Sequence, residues 1–119
     1  ENGLAQLRGI VVMLLGFAEK NPGMTRVLIG DVLMNEDERL QARINQLHDR
    51  IEATLKQCLR LAATQTAERE GGAAREPEDP APHANLILAY VVGRWHQFAK
   101  SGFRRKPTEL ADRQWPLIA

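Results

Sequence analysis

A single cysteine, Cys58, cannot form an internal disulfide, so nothing in the chain calls for an oxidising compartment. Charge of one sign is also missing. Sixteen basic residues stand against fifteen acidic ones, a net charge of +1, and this balance gives no global attraction to nucleic acid or acidic lipid. The longest apolar run, Ile10–Leu15 continuing through Gly16, Phe17 and Ala18, is about half the ~20 residues a membrane span needs. It reads as a buried helix. There is no signal peptide and no initiator methionine ahead of Glu1-Asn2-Gly3, which is expected of a fragment or of a chain with an upstream part removed. The 119 residues suffice for one domain with a real core.

Catalytic and metal-binding patterns are absent too. No G-x-S-x-G, P-loop or G-x-G-x-x-G occurs. His48, His83 and His96 have no His, Cys or carboxylate at metal-ligand spacing, and each reads as a boundary histidine. Cys58 falls in an apolar stripe, as a buried inert thiol does. Carboxylates are scattered, with no acid–base pair. These absences point away from an enzyme and call for no cofactor and no metal. A helix-turn-helix with a basic recognition helix is not visible either, so no DNA-binding residue is assigned in this chain.

What the chain does contain is helical periodicity. Leu40, Ile44, Leu47, Ile51, Leu55, Cys58 and Ala62 are spaced 4, 3, 4, 4, 3 and 4, one stripe on a helix expected over about Asn35–Thr66. Ala42, Gln46, Asp49, Ala53, Lys56 and Arg60 form its polar side. Asn35 and Glu38 have capping-box spacing, and Glu36 and Asp37 suit the helix dipole. Such a helix reaches on the order of 45 Å and spans the whole domain.

Ahead of it, a first helix is expected over Leu4–Lys20. Leu4, Leu7, Val11, Leu14, Leu15 and Ala18 form its core face. The other face, Gln6, Gly9, Met13, Gly16 and Lys20, carries two interior glycines that each cost about 1 kcal/mol relative to Ala. Close approach by another surface would explain them. That surface is either another part of the same protein or a partner seated in a shallow groove. Asn21-Pro22-Gly23 ends this helix, with Asn21 as cap of a second one over Pro22–Met34. Met24, Val27, Leu28, Val32 and Leu33 are expected to be mostly buried in it, and Gly30 suggests a tight contact.

Glu68–Pro82 is rich in Gly, Pro and charge and reads as a mobile surface loop. A helix over Pro82–Ser101 is apolar nearly all round, which predicts burial on two sides. One side is expected to be the core and the other a second subunit. Leu88, Val91, Val92, Trp95 and Trp115 are the candidate dimer seam, with Gly93 allowing two backbones to come close. The basic triplet Arg104-Arg105-Lys106 reads as a solvated helix end, with phosphate binding as the weaker rival. Thr108–Arg113 is expected to be a turn. A last helix then starts at Trp115, with Pro116 in its first turn.

Three stretches add a family resemblance: LLGFAEKNPGMTRVL (14–28), ERLQARINQLHDRIEATLKQCLR (38–60) and FAKSGFRRKPTELADRQWPLIA (98–119). Within them, GF-x-E-x-NPG-x-TR, RINQL and QWPLIA occur jointly. Together they resemble the C-terminal domain of the TetR family of helical regulators, in its nucleoid occlusion branch. The resemblance covers most of the chain outside 68–82. It implies an all-α domain, residues 1–119, that dimerises through a helix bundle, with the N-terminal DNA-binding domain absent. It further implies a cytoplasmic, nucleoid-associated homodimer. Specific DNA would be held through the missing domain, no membrane would be involved, and the bound dimer would engage the division GTPase FtsZ and inhibit its polymers. The matching partner-contact positions are Met13, Gly16, Lys20 and Asn21. The family commonly has Leu and Arg at the first and third of these. Met keeps an apolar contact, whereas Lys keeps the charge without the planar fork of Arg. A repressor with a small apolar ligand near Leu47, Ile51, Phe17 and Trp95 is the alternative, and a helical adaptor without a DNA-binding half is a third.

Overall fold

The computed structural model describes residues 2–30, 38–71 and 78–119. Among them are five helices: α1 (Gly3–Lys20), α2 (Pro22–Leu28), α3 (Glu38–Arg69), α4 (Ala81–Lys100) and α5 (Ala111–Ile118). The expected cap Asn35, the charges Glu36 and Asp37, the apolar Val32, Leu33 and Met34, and residues 72–77 of the expected loop lie outside the described residues.

The 32 residues of α3 run about 48 Å at 1.5 Å per residue, against a longest molecular dimension of 52 Å. This helix is therefore the spine. α1 and α4 both pack on it and on each other. The core is the meeting of three stripes: Leu7, Val11, Leu15 and Ala18 from α1, Leu55 and Cys58 from α3, and Ala84, Ile87, Val91 and Trp95 from α4. Each large apolar side chain in it contributes roughly 1.5–3 kcal/mol by leaving water. Trp95 is 1% exposed, and its indole Nε1 donates to the Leu14 carbonyl at 3.0 Å.

The long stripe is buried along only part of its length. Ile44, Leu55 and Cys58 are buried, Ile51 is half-buried, and Leu47 is 40% exposed. Leu4, expected in the core, is also exposed. The close helix contact lies nearby, at Gly3. A Cβ there would fall against Ala62 N and 2.6 Å from the Cys58 carbonyl oxygen. Asn2 caps α1 by accepting from Ala5 N, and Gly3 N donates to Gln65 Oε1 at 2.7 Å.

α2 is shorter than the apolar pattern implied. It stops at Leu28, and Gly30 at φ +75° turns the chain away, as a left-handed glycine does after a helix. Met24 is exposed rather than buried. α3 continues to Arg69, past the expected Thr66, since nothing before Gly71 breaks it. α5 begins at Ala111, so 111–113 is helical rather than part of a turn. Pro116 lies inside the helix rather than in its first turn. His48 and His83 are boundary histidines. The His48 Nε2 lies 3.1 Å from the Leu28 carbonyl oxygen, and the His83 Nε2 lies 2.6 Å from that of Ile118. Cys58 is a buried free thiol, and burial pushes its pKa up.

Candidate partner-binding face

With Leu7, Val11, Leu15 and Ala18 turned into the core, the 3.6-residue period turns Gly9, Met13, Gly16 and Lys20 outward. Met13 is 57% exposed and Lys20 is exposed, while Phe17 on the same side and Met24 at the start of α2 are each nearly half exposed. A Cβ at Gly9 or at Gly16 meets nothing within 4 Å. No other described element of this chain packs against those two glycines. Cover by another helix of the described residues is not realised, and either another part of the protein or a partner would meet an open, shallow, apolar strip ending in an ammonium group.

One flank of α1 is tied down. Glu19 Oε1 accepts from the Thr108 hydroxyl at 2.7 Å, and Arg8 pairs with Asp112 at 3.2 Å. Both contacts hold the C-terminal segment beside α1 and leave the Met13–Lys20 face uncovered. The Arg8–Asp112 pair is largely exposed and contributes well under about 1 kcal/mol, so it sets position more than stability.

Asn21 has a different job from the one the sequence suggests. Its side chain does not cap α2. Its Nδ2 donates to the Phe17 carbonyl at 2.8 Å and closes the end of α1, while its own carbonyl accepts from Thr25 N at 3.0 Å. The fully buried Thr25 hydroxyl lies 2.8 Å from the Ala18 carbonyl oxygen and 3.0 Å from that of Asn21. Sequence reasoning passed over Thr25, although it stands in the NPG-x-T run. That run is a self-contained joint between α1 and α2.

The structure separates the candidate dimer residues. Leu88, Val91 and Trp95 are buried in this chain's own core, and Val92 and Trp115 are partly buried against it. A seam centred on Val91 and Trp95 has no surface to use, because those side chains already face α1 and α3. The outward stripe of α4 is Leu86, Ala89, Gly93 and Gln97. Leu110 lies beside Ala89, Gly93 and Gln97, and Leu117 of α5 is 82% exposed.

Beside that stripe, a cleft of about 500 Å³ runs between α4 and the C-terminal segment, lined by residues including Tyr90, Arg94, Arg105 and Glu109. Arg94 is 7% exposed. Its Nε and NH2 donate to the carbonyls of Pro107 and Lys106, and its NH1 donates to Gln97 Oε1 at 2.8 Å. The Tyr90 hydroxyl donates to Gln114 Oε1 at 2.7 Å, and burial pushes its pKa up against a smaller lowering effect of the Arg94 charge. Arg94 was not singled out from the sequence, although it continues the buried series 84, 87, 91, 94, 98. A second cleft, about 370 Å³, lies between α3 and Glu78–Pro80. Neither is lined by Leu47, Ile51, Phe17 or Trp95.

An all-helical domain on a long spine, with no strand among the described residues, is the architecture of the C-terminal domain of helical repressor-type proteins. The chain belongs to the family described as Tetracyclin repressor-like, C-terminal domain, in its SlmA-like branch, which matches residues 1–119. The nucleoid occlusion factor SlmA of Escherichia coli O1:K1 / APEC is 50% identical over 115 residues, covering 97% of this chain and 55% of that protein. The protein of the same name from Shigella boydii serotype 18 (strain CDC 3083-94 / BS512) is 49% identical over 115 residues, with the same coverage. The chain thus spans about half the length of these relatives. Among the described residues, no helix is long and apolar enough to cross a membrane.

Proposed function

We propose that this chain is the partner-binding and dimerising half of a nucleoid occlusion factor. In this reading the whole protein is a DNA-bound homodimer in the cytoplasm, associated with the nucleoid. It engages FtsZ and inhibits its polymers, so septa do not form over the chromosome. It acts by binding, without turnover. The observation that supports this most directly is the uncovered face of α1. An exposed strip of Gly9, Met13 and Gly16 ending at Lys20 has no role inside the described fold, in a chain about half identical to proteins named for nucleoid occlusion. Met13 supplies apolar contact, Gly16 lets a partner backbone approach, and Lys20 supplies charge. Asn21 shapes the end of the face through the α1–α2 joint.

The dimer seam in this proposal is the outward stripe of α4 with Leu110 and Leu117, flanked by the partly buried Val92 and Trp115. Small residues at Ala89 and Gly93 allow two copies of α4 to cross closely.

The test uses the full-length protein with its helix-turn-helix domain and specific DNA. FtsZ polymerisation is followed by light scattering for wild type and Lys20→Glu. The variant is expected to lose inhibition while sedimentation and DNA binding stay as in wild type. Equal inhibition by both would remove Lys20 from the mechanism. A wild type without effect on polymers would favour the ligand-responsive repressor.

A further inference from the structure

We propose that Arg104, Arg105 and Lys106 form a docking site for an acidic segment of the same protein partner that uses the Met13–Lys20 face, an inference that rests on the function proposed above. The three cations are exposed and consecutive. Among the described residues none of them has a carboxylate within ion-pair distance, although Glu109 lines the same cleft as Arg105.

The backbone that carries them is held from several sides. Gly102 and Phe103 both adopt positive φ, +68° and +64°. For a bulky aromatic residue that conformation is strained and persists only where neighbours enforce it. Here the Phe103 N–H donates to the Phe98 carbonyl at 2.8 Å, and the two rings meet edge to face at 5.2 Å. Ser101 Oγ accepts from the backbone N–H groups of Arg104 and Arg105. Arg94 holds the Lys106 and Pro107 carbonyls, and Pro107 is buried. The Gly102 and Phe103 bonds are those of a Schellman cap that ends α4, and the Arg94 bonds to the Lys106 and Pro107 carbonyls hold the chain beyond that cap. A fixed backbone lowers the ordering cost of binding for charged side chains mounted on it.

Position selects the partner. Thr108, two residues beyond Lys106, bonds Glu19, so the basic loop sits at the Lys20 end of α1. Any segment preceding Gly3 enters at the opposite end, about 27 Å away along an 18-residue helix. DNA held by an upstream domain is therefore the less favoured polyanion. An acidic stretch of the protein partner, continuing past Lys20, meets four cations at one end of the molecule: Lys20, Arg104, Arg105 and Lys106.

The experiment measures affinity for FtsZ of the full-length protein on saturating specific DNA, by biolayer interferometry at about 50 and about 300 mM KCl, a range that separates screened from unscreened charge pairs. Wild type is compared with Met13→Asp and with the triple variant Arg104→Gln, Arg105→Gln, Lys106→Gln. The triple variant is expected to bind FtsZ about tenfold more weakly at low salt and with a flatter salt dependence. Its melting temperature and DNA affinity should match wild type. Charge-preserving Arg104→Lys with Arg105→Lys should restore most of the binding. If Met13→Asp weakens FtsZ binding and the triple variant does not, the docking site is wrong and the α1 reading stands. If neither variant changes binding, the α1 reading itself fails. If the triple variant weakens DNA binding and leaves FtsZ binding intact, the loop serves nucleic acid and the proposal is overturned.

Discussion

Trp95 reaches across from α4 to place its indole nitrogen 3.0 Å from the carbonyl oxygen of Leu14, one residue beyond the exposed Met13. The largest core side chain thus fixes the height of α1 on the spine as well as filling space. Trp95→Phe removes the hydrogen bond and some volume, and should destabilise the fold by roughly 1–3 kcal/mol; Trp95→Ala should cost roughly 3–5 kcal/mol. Urea denaturation followed by circular dichroism gives both values.

The glycines of α1 divide into two kinds. Gly3→Ala forces a methyl group against the backbone of Ala62 and Cys58, which must shift, at a cost of roughly 1–3 kcal/mol. Gly9→Ala meets open space and should stabilise the helix by about 0.5–1 kcal/mol. Thermal melts of the two variants should move in opposite directions.

Arg94 is buried and bonded to the Pro107 and Lys106 carbonyls and to Gln97. Arg94→Met leaves those carbonyls short of donors and should cost roughly 2–4 kcal/mol, charge-assisted bonds to buried acceptors being the stronger kind. The loss should be local first. Hydrogen exchange is expected to rise over residues 103–114 before the α1–α3 contact is affected.

Tyr90 gives the stability a pH dependence on the alkaline side. Its folded pKa is raised, by burial first, above the ordinary value of 10.0. In the unfolded chain the phenol ionises first, so the contribution is fully present below about pH 10 and is lost as pH rises through the folded pKa. Tyr90→Phe should flatten the fall in stability above about pH 10 while lowering stability near neutrality through the lost bond to Gln114.

Much of this was readable from spacing. The period of α1 separated Leu7, Val11 and Leu15 from Met13, Gly16 and Lys20, because a core stripe and an open face differ at every third or fourth position. Three things were not readable. Close approach was expected at Gly9 and Gly16, whereas the crossing of α1 over Ala62 puts it at Gly3, a position outside the expected helix. α4 is apolar on two sides, and periodicity does not say which side meets α1 and α3; Val91 and Trp95 were therefore assigned outward when they face in. Arg94 lies on a buried stripe, but its acceptors are main-chain carbonyls supplied by a turn twelve and thirteen residues later, which no side-chain pattern announces.

Asn21 closes one helix with its amide and opens the next with its carbonyl, as described above. Such a residue governs a bond angle of the architecture, the one between the axis that presents Lys20 and the axis that presents Met24. Changing it swings one helix relative to the other and alters the whole contour offered to a partner at once. Under the function proposed above, a binding defect caused by an Asn21 substitution is therefore a report on the shape of the corner, and Met13 and Lys20 are where individual contacts are to be weighed.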